Sequence, residues 1–301
     1  MNDLVEILRI GELFQKVGIP YEGRNFEELY DELYNVPNCE GLIEEVNNLV
    51  HDYFSHFQIS DSVTIYDELI LSLRKKDKIF SFNWDPLLIQ AEKRNLHLGE
   101  LPDIHFLHGN VAIGICIDHK RSGYFGNACS VCGNPFQQSK LLYPIKNKNY
   151  KLDPFVESEW KVIEHTLNES FIFTIFGYSA PNSDVIAKEM MLKAWNINNR
   201  KEFNEVEIVD VKPSDELLEN WRNFTIRQHY ATLSSIRDTL AFHYPRRSCD
   251  AFGTMIMMSQ PWKEMKLPEF KTLTDLQNWV LPLIEEEIKF KNEAVPLMKF
   301  K

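Results

Sequence analysis

The chain has 301 residues, enough for one or two domains with a sizeable core. Its 33 basic and 44 acidic residues give a formal net charge of −11, which repels phosphate backbones and anionic membranes unless a local basic patch intervenes. Only 12 residues are glycine and no two of them are separated by a single residue, so a G-x-G-x-x-G turn is excluded, and the chain has no Walker-type loop either.

The start, Met1-Asn2-Asp3-Leu4, has neither a basic run nor a long apolar run, so no signal peptide is expected. The longest apolar stretch, Phe171 to Phe176, is too short to span a bilayer. A cytoplasmic protein without membrane partners is the expectation, with nucleic acid excluded as a general partner. In a reducing compartment the five cysteines are expected to stay unpaired. The basic clusters Arg74-Lys75-Lys76 and Arg246-Arg247 read as solvated faces or salt-bridged surface, or alternatively as phosphate contacts.

Apolar spacing predicts a helix over 3–17, broken at Gly18-Ile19-Pro20. Asn25 is placed to cap the next, with Glu27 and Glu28 in its first turn where the helix dipole favours anions. Residues 41–57 form another amphipathic helix, and Ser62 or Thr64 caps one running through Leu73. The pattern then shortens. Strands are expected over 78–82, 104–107, 171–176 and 205–209. Helices follow at 87–94, 160–168 and from Ser183 through Trp195. Residues 111–140 hold four glycines and three cysteines and read as an inserted irregular module. From Ser214 onward the chain reads as mostly helical, with Trp221, Phe224, Tyr230, Ile236, Leu240 and Phe242 packing on the sheet. Strands alternating with helices predict an α/β fold: a parallel sheet with helices on both faces.

In such a sheet, ligands bind beyond the carboxyl ends of the strands. Each predicted strand ends in polar or small residues: Asn83 and Asp85; His108 and Gly109; Gly177, Ser179 and Ser183; and Asp210. Any one of these is an ordinary cap or turn; four together predict a shared pocket. Gly177 lets a backbone approach a phosphate or ribose closely. Ser179 can bond a ribose or phosphate oxygen, and Asp210 can accept ribose hydroxyls. His108 is the general base available near neutral pH, with a structural histidine as the alternative. His105 points to the other face of its strand.

A second constellation is Cys116-x2-His119 followed by Cys129-x2-Cys132. Three thiolates and one imidazole match a tetrahedral structural zinc site with no open position. Cys116 as a buried strand residue is the alternative for that half.

Phe-Asn-Trp-Asp-Pro-Leu-Leu at 82–88, Leu-His-Gly at 107–109, the cysteine module after it and Gly-Tyr-Ser-Ala-Pro-Asn-Ser-Asp at 177–184 together resemble the sirtuin-like superfamily, in particular its divergent bacterial NAD-hydrolase and defence branch. The match covers roughly Ile65 to Asp210. The resemblance implies a Rossmann-like NAD-binding domain over 1–212, a zinc-ribbon-like insertion at about 111–140, and a helical extension over 213–301. It implies that Asn83 orients a water or the ribose hydroxyls, that Asp85 supports that loop, and that His108 is the base. Gly109, Gly177, Ser179, Ser183, Asp184 and Asp210 would contact the nucleotide. The shared chemistry is cleavage of the nicotinamide–ribose bond of NAD. The family's opening strand and Gly-Ala-Gly-x-Ser pyrophosphate loop have no counterpart, and the chain reads as starting just past them.

Three functions follow. The first is an NAD hydrolase, acting as an antiviral effector alone, as a homo-oligomer or with a partner protein. The second is a non-catalytic binder of a nucleotide or ADP-ribose, and the third an NAD-dependent deacylase.

Overall fold

The structure, a computed structural model, describes residues 4–145, 153–178, 184–196, 204–226 and 228–292. The N-terminal helices are α1 (Leu4–Ile7), α2 (Gly11–Gln15), α3 (Phe26–Tyr34) and α4 (Glu40–Ser55). The first expected helix is split in two, because Arg9 takes a positive φ of 53° between α1 and α2. Asn25 caps α3 as expected, its side chain accepting from the Glu28 N–H. Phe14, Phe26, Leu29, Leu33, Val46 and Val50 are fully buried, giving these helices a core of their own. Trp84, Tyr143 and Ile145 join that core from the strand-end loop and the chain after the cysteine module.

Thr64 starts α5 (Ile65–Ser72) with a capping box. The helix leads into β1 (Lys78–Ser81), α6 (Leu87–Asn95) and β2 (Asp103–Phe106), and β2 pairs with β1 in parallel. Next comes an antiparallel module: β3 (Ile113–Cys116), β4 (Arg121–Tyr124) and the short β5 (Gln137–Gln138), with β3 central. Gly114 and Gly123 make room here for the Phe136 side chain, because a Cβ would lie 2.6 Å from its Cβ at Gly114 and 2.7 Å from its ring at Gly123.

Then α7 (Pro154–Glu169), β6 (Ile172–Phe176), α8 (Val185–Asn196), β7 (Glu205–Val209), α9 (Ser214–Thr225) and β8 (His229–Leu233) form a second parallel sheet in the order β6-β7-β8. The fold is therefore mixed α/β with parallel sheets, as expected. Two features differ from the sequence expectation. First, β8 lies within the stretch read as helical. Second, the parallel strands fall into two hydrogen-bonded groups, β1-β2 and β6-β7-β8, rather than one ladder among the described residues.

A single core nevertheless runs beneath both groups, with Leu71, Phe106, Trp160, Ile175, Trp195, Val206 and Trp221 all buried in it. Helices α10 (Leu240–His243), α11 (Ser248–Met257) and α12 (Leu273–Asn292) complete the chain. Leu276, Val280 and Ile284 recur every fourth residue of α12 and are buried against that core. Of the expected tail core residues, only Tyr230 is exposed, at 51%.

Four residues of the basic clusters, Arg74, Lys75, Arg246 and Arg247, make ion pairs within the protein. Lys75 and Lys78 pair with Asp103, and Arg74 lies 3.4 Å from Glu287. Arg246 is buried, bidentate to Glu287 and donating to the Leu73 and Glu100 carbonyls, so it ties α12 to the end of α5. Arg247 pairs with Glu286 at 3.4 Å. No helix among the described residues is long and apolar enough to cross a membrane.

Candidate active site and metal centre

The loops after β1 and β2 are bound together by Asn110, a residue the sequence gave no reason to single out. It is fully buried, and its side-chain amide donates to the backbone carbonyls of Asn83 (3.3 Å) and Asp85 (2.6 Å). Its own carbonyl accepts from the Ser139 hydroxyl at 2.8 Å, while its side-chain oxygen accepts from the Ala112 N–H. One residue, by its side-chain amide and its backbone together, therefore ties the Asn83 loop, the His108 loop and the chain returning from the cysteine module at Ser139.

Asn83 is exposed while Trp84 beside it is only 6% exposed, so this turn leaves Asn83 at the surface and sends the indole into the N-terminal core. Asp85 accepts the Leu87 N–H at 3.0 Å, as a residue opening α6 should, and burial raises its pKa. Tyr66, also unforeseen, belongs to the same corner. Burial raises its pKa, with the Asp85 charge adding to the shift and a hydrogen bond to the Asn83 side chain opposing it.

His108 follows β2 and is 6% exposed. Its Nε2 is 3.8 Å from Oδ1 of Asp184, just before α8, and the other carboxylate oxygen accepts from the Tyr178 hydroxyl at 3.0 Å. Phe82 lies edge-on to the His108 ring at 4.8 Å and stacks flat on Tyr178 at 4.0 Å. The residues after β1, β2 and β6 thus meet in one place, joined to the first residue before α8. His105 instead stacks on Phe80 and approaches Glu159 at 3.2 Å, away from this cluster as expected.

Gly109 and Gly177 both have positive φ, 74° and 62°. They differ in what surrounds them. A Cβ on Gly109 would sit 2.1 Å from the Lys140 carbonyl oxygen, so the chain itself demands glycine there. A Cβ on Gly177 would meet nothing within 4 Å among the described residues at the end of β6. Asp210 follows β7 and accepts the Lys212 N–H at 3.2 Å; no contact among the described residues joins it to His108. Ser179 and Ser183 lie outside the described residues.

The four expected metal ligands come together. Their donor atoms all lie within 4.8 Å of one another. Cys116 Sγ is 3.4 Å from His119 Nδ1 and 3.9 Å from Cys132 Sγ, and Cys129 Sγ is 3.9 Å from His119 Nδ1. A tetrahedral zinc shell requires edges of about 3.8 Å between sulfurs and about 3.6 Å between sulfur and nitrogen. The donor set and its spacing are therefore compatible with zinc. Cys116 and His119 flank the turn into β4, while Cys129 and Cys132 flank a tight turn closed by Gly133 N–H to the Cys129 carbonyl at 2.8 Å. Backbone N–H groups of Cys132 and Val131 point at the Cys129 sulfur and bring its pKa down to about 6, which suits a thiolate ligand.

No protein-family model matches the chain, and no curated protein matches it in sequence. Solved structures resemble it, among them two complexes. The chain is similar to Sir2 homologues. One is a crystal structure of a Sir2 homolog–NAD complex, 13% identical, with a TM-score of 0.39, covering 83% of this chain and 84% of that one. The other is a single-site mutant of a Sir2 homologue with ADP ribose, 10% identical, with a TM-score of 0.39, covering 93% and 90%. Both are distant likenesses.

Proposed function

We propose that the chain is an NAD-consuming enzyme that cleaves the bond between nicotinamide and ribose. The observation that carries this reading is the convergence of three strand ends: His108 is held against Asp184 beneath the Phe82–Tyr178 stack, with exposed Asn83 on the adjoining turn. A histidine, a carboxylate and an exposed asparagine beyond the carboxyl ends of parallel strands support this reading, because parallel sheets bind ligands there. The motifs quoted above for the sirtuin-like superfamily fall on these same residues.

In the proposed reaction the C1′–N bond of NAD breaks and nicotinamide leaves with the electron pair. Water adds at C1′ and gives up a proton, and the products are nicotinamide, ADP-ribose and that proton. Asn83 orients the water or the ribose hydroxyls. His108 takes the proton, and Asp184 holds the imidazole and stabilises its charged form. Gly177 offers backbone to the ribose or phosphate, and Ser179, Ser183 and Asp210 are proposed as further nucleotide contacts. Zinc, held by Cys116, His119, Cys129 and Cys132, has a structural role in this scheme, because four protein ligands leave no position for substrate. An antiviral setting in the cytoplasm, alone or in an assembly, completes the proposal.

The test is to incubate the protein with NAD and measure released nicotinamide. Wild type should turn over, and His108→Ala and Asn83→Ala should each lose about a hundredfold or more, the usual worth of a positioned base. Equal turnover in all three refutes the reading. A second reading, binding without turnover, is favoured by the burial of His108. It predicts calorimetric binding of ADP-ribose by wild type with no nicotinamide release.

A further inference from the structure

Three successive backbone carbonyls in the turn after β1 are bound by two successive residues in the loop after β2. The Asn110 side-chain amide donates to the carbonyls of Asn83 and Asp85, at 3.3 and 2.6 Å. Between them, the Val111 N–H donates to the Trp84 carbonyl at 3.0 Å. The accepting turn carries Asn83, and the donating loop carries His108 two residues before Asn110.

Asn110 is itself held from the other side. The Ala112 N–H donates to its side-chain oxygen at 2.9 Å, which leaves the NH2 group turned to the two carbonyls. The Ser139 hydroxyl donates to its backbone carbonyl at 2.8 Å. The Leu142 N–H donates to the His108 carbonyl at 2.8 Å, and the Ser139 N–H to the Ile113 carbonyl at 3.0 Å, so residues 139–142 run as a strap along the His108 loop. Asn110 and Ser139 are 0% and 2% exposed. A buried amide whose donors and acceptor are all engaged keeps one rotamer and holds its partners at a fixed spacing.

We infer that Asn110 is a positioning residue: it sets where Asn83 stands relative to His108, and the Ser139 hydroxyl keeps it in place. The inference rests on the cleavage reading above, in which those two side chains act on one ribose and one water. Asn110 has no exposed surface with which to touch a substrate, so it acts through the backbone of its two loops.

Asn110→Asp separates positioning from mere packing. It keeps the size of the side chain and the acceptor for Ala112. As a carboxylate it turns a second oxygen on the two carbonyls and repels them. As a neutral acid it carries one O–H and can donate to one of them again. A carboxyl facing carbonyl oxygens and shut from water favours the neutral form. The defect should therefore be largest at alkaline pH and shrink as pH falls.

The experiment measures nicotinamide release from NAD by wild type, Asn110→Asp and Ser139→Ala across neutral pH, each variant taken as a ratio to wild type at the same pH. For Asn110→Asp, kcat should fall about tenfold or more at the alkaline end and recover toward the acid end, with KM within about twofold throughout. Ser139→Ala should lower kcat less, with no such recovery. Residue-resolved amide exchange reads the geometry without turnover. In Asn110→Asp at alkaline pH, the amides of Val111 and Leu87 should exchange at least about tenfold faster than in wild type, while that of Gly177, bonded to Val209, should not change. If wild type releases no nicotinamide, the cleavage reading fails, and exchange alone decides whether Asn110 holds the two loops. The inference is overturned if Val111 and Leu87 keep wild-type exchange, if Gly177 accelerates equally, or if kcat falls by one factor at every pH. Should Asn110→Asp not fold, Ser139→Ala carries the exchange test, and an unchanged Val111 amide there overturns the inference.

Discussion

Glu207 sits in the middle of β7 with 1% of its surface exposed. One carboxylate oxygen accepts from the Thr174 hydroxyl at 2.6 Å on β6, and the other accepts from the Leu240 N–H at 2.7 Å at the start of α10. Burial outweighs these two hydrogen bonds and lifts its pKa from 4.5 to about 7. The sign follows directly. Below pH 4.5 the folded and unfolded chains both carry the protonated acid, and no penalty exists. As pH rises, the unfolded chain releases its proton first and gains stability. Above about 7 the folded chain is left holding a buried carboxylate. By linkage the penalty is about 1 kcal/mol at pH 5 and about 3 kcal/mol at pH 8. Glu207→Gln removes the charge while keeping an oxygen for Leu240 and an amide for Thr174. Urea unfolding of both proteins should show the variant gaining on wild type by about 2 kcal/mol between pH 5 and pH 8. A stability difference that stays constant across that range refutes the reasoning, because then Glu207 does not titrate with folding.

Two further outcomes follow. The purified protein should carry one equivalent of zinc by elemental analysis, and Cys132→Ser or a strong chelator should remove it and lower the melting temperature, because the β3-β4-β5 module has little apolar core of its own. Gly109→Ala should cost at least about 2 kcal/mol in urea unfolding, since a left-handed backbone is joined by a clash with the Lys140 carbonyl, whereas Gly177→Ala should cost only the roughly 1–2 kcal/mol of the backbone term. Equal losses at the two glycines would contradict the placement of Lys140.

What was legible in the sequence was what local chemistry specifies. Strand β7 was readable to the residue because Val206, Ile208 and Val209 are a short run of strand formers that ends at Asp210 before an acidic helix start. Asn25 and Thr64 announced their helices because a cap needs only a side-chain oxygen and a following N–H. The metal ligands were readable because two pairs at fixed spacing leave few other uses. Asn110 was not readable: its importance lies in two carbonyls more than twenty residues away, and a lone asparagine after His-Gly carries no pattern. The break at Arg9 was hidden by apolar spacing that runs straight through it. Glu207 was hidden in the opposite way. Glu205-Val-Glu207 alternates like a strand with one wet face, and only the packing of α10 makes that face dry. β8 is a five-residue strand between helical stretches, too short to stand out until β7 offers it an edge.

The position of His108 connects these threads. Its own strand belongs to the first parallel pair, but the carboxylate facing it, Asp184, belongs to the helix that follows β6 in the second. Among the described residues no backbone ladder joins those two halves. Their registration at this point rests on side chains: the Phe82–Tyr178 stack, the Tyr178–Asp184 hydrogen bond, and Trp160, which donates to the Leu107 carbonyl from α7. Side-chain contacts of this kind position a pair less firmly than a ladder does, because each retains rotamer freedom that paired backbones lose. Tyr178→Phe tests that registration. It keeps the stack and removes the bond to Asp184, so it should lower turnover through kcat while leaving folding stability within about 1.5 kcal/mol of wild type. An unchanged kcat would mean that Asp184 is positioned without Tyr178.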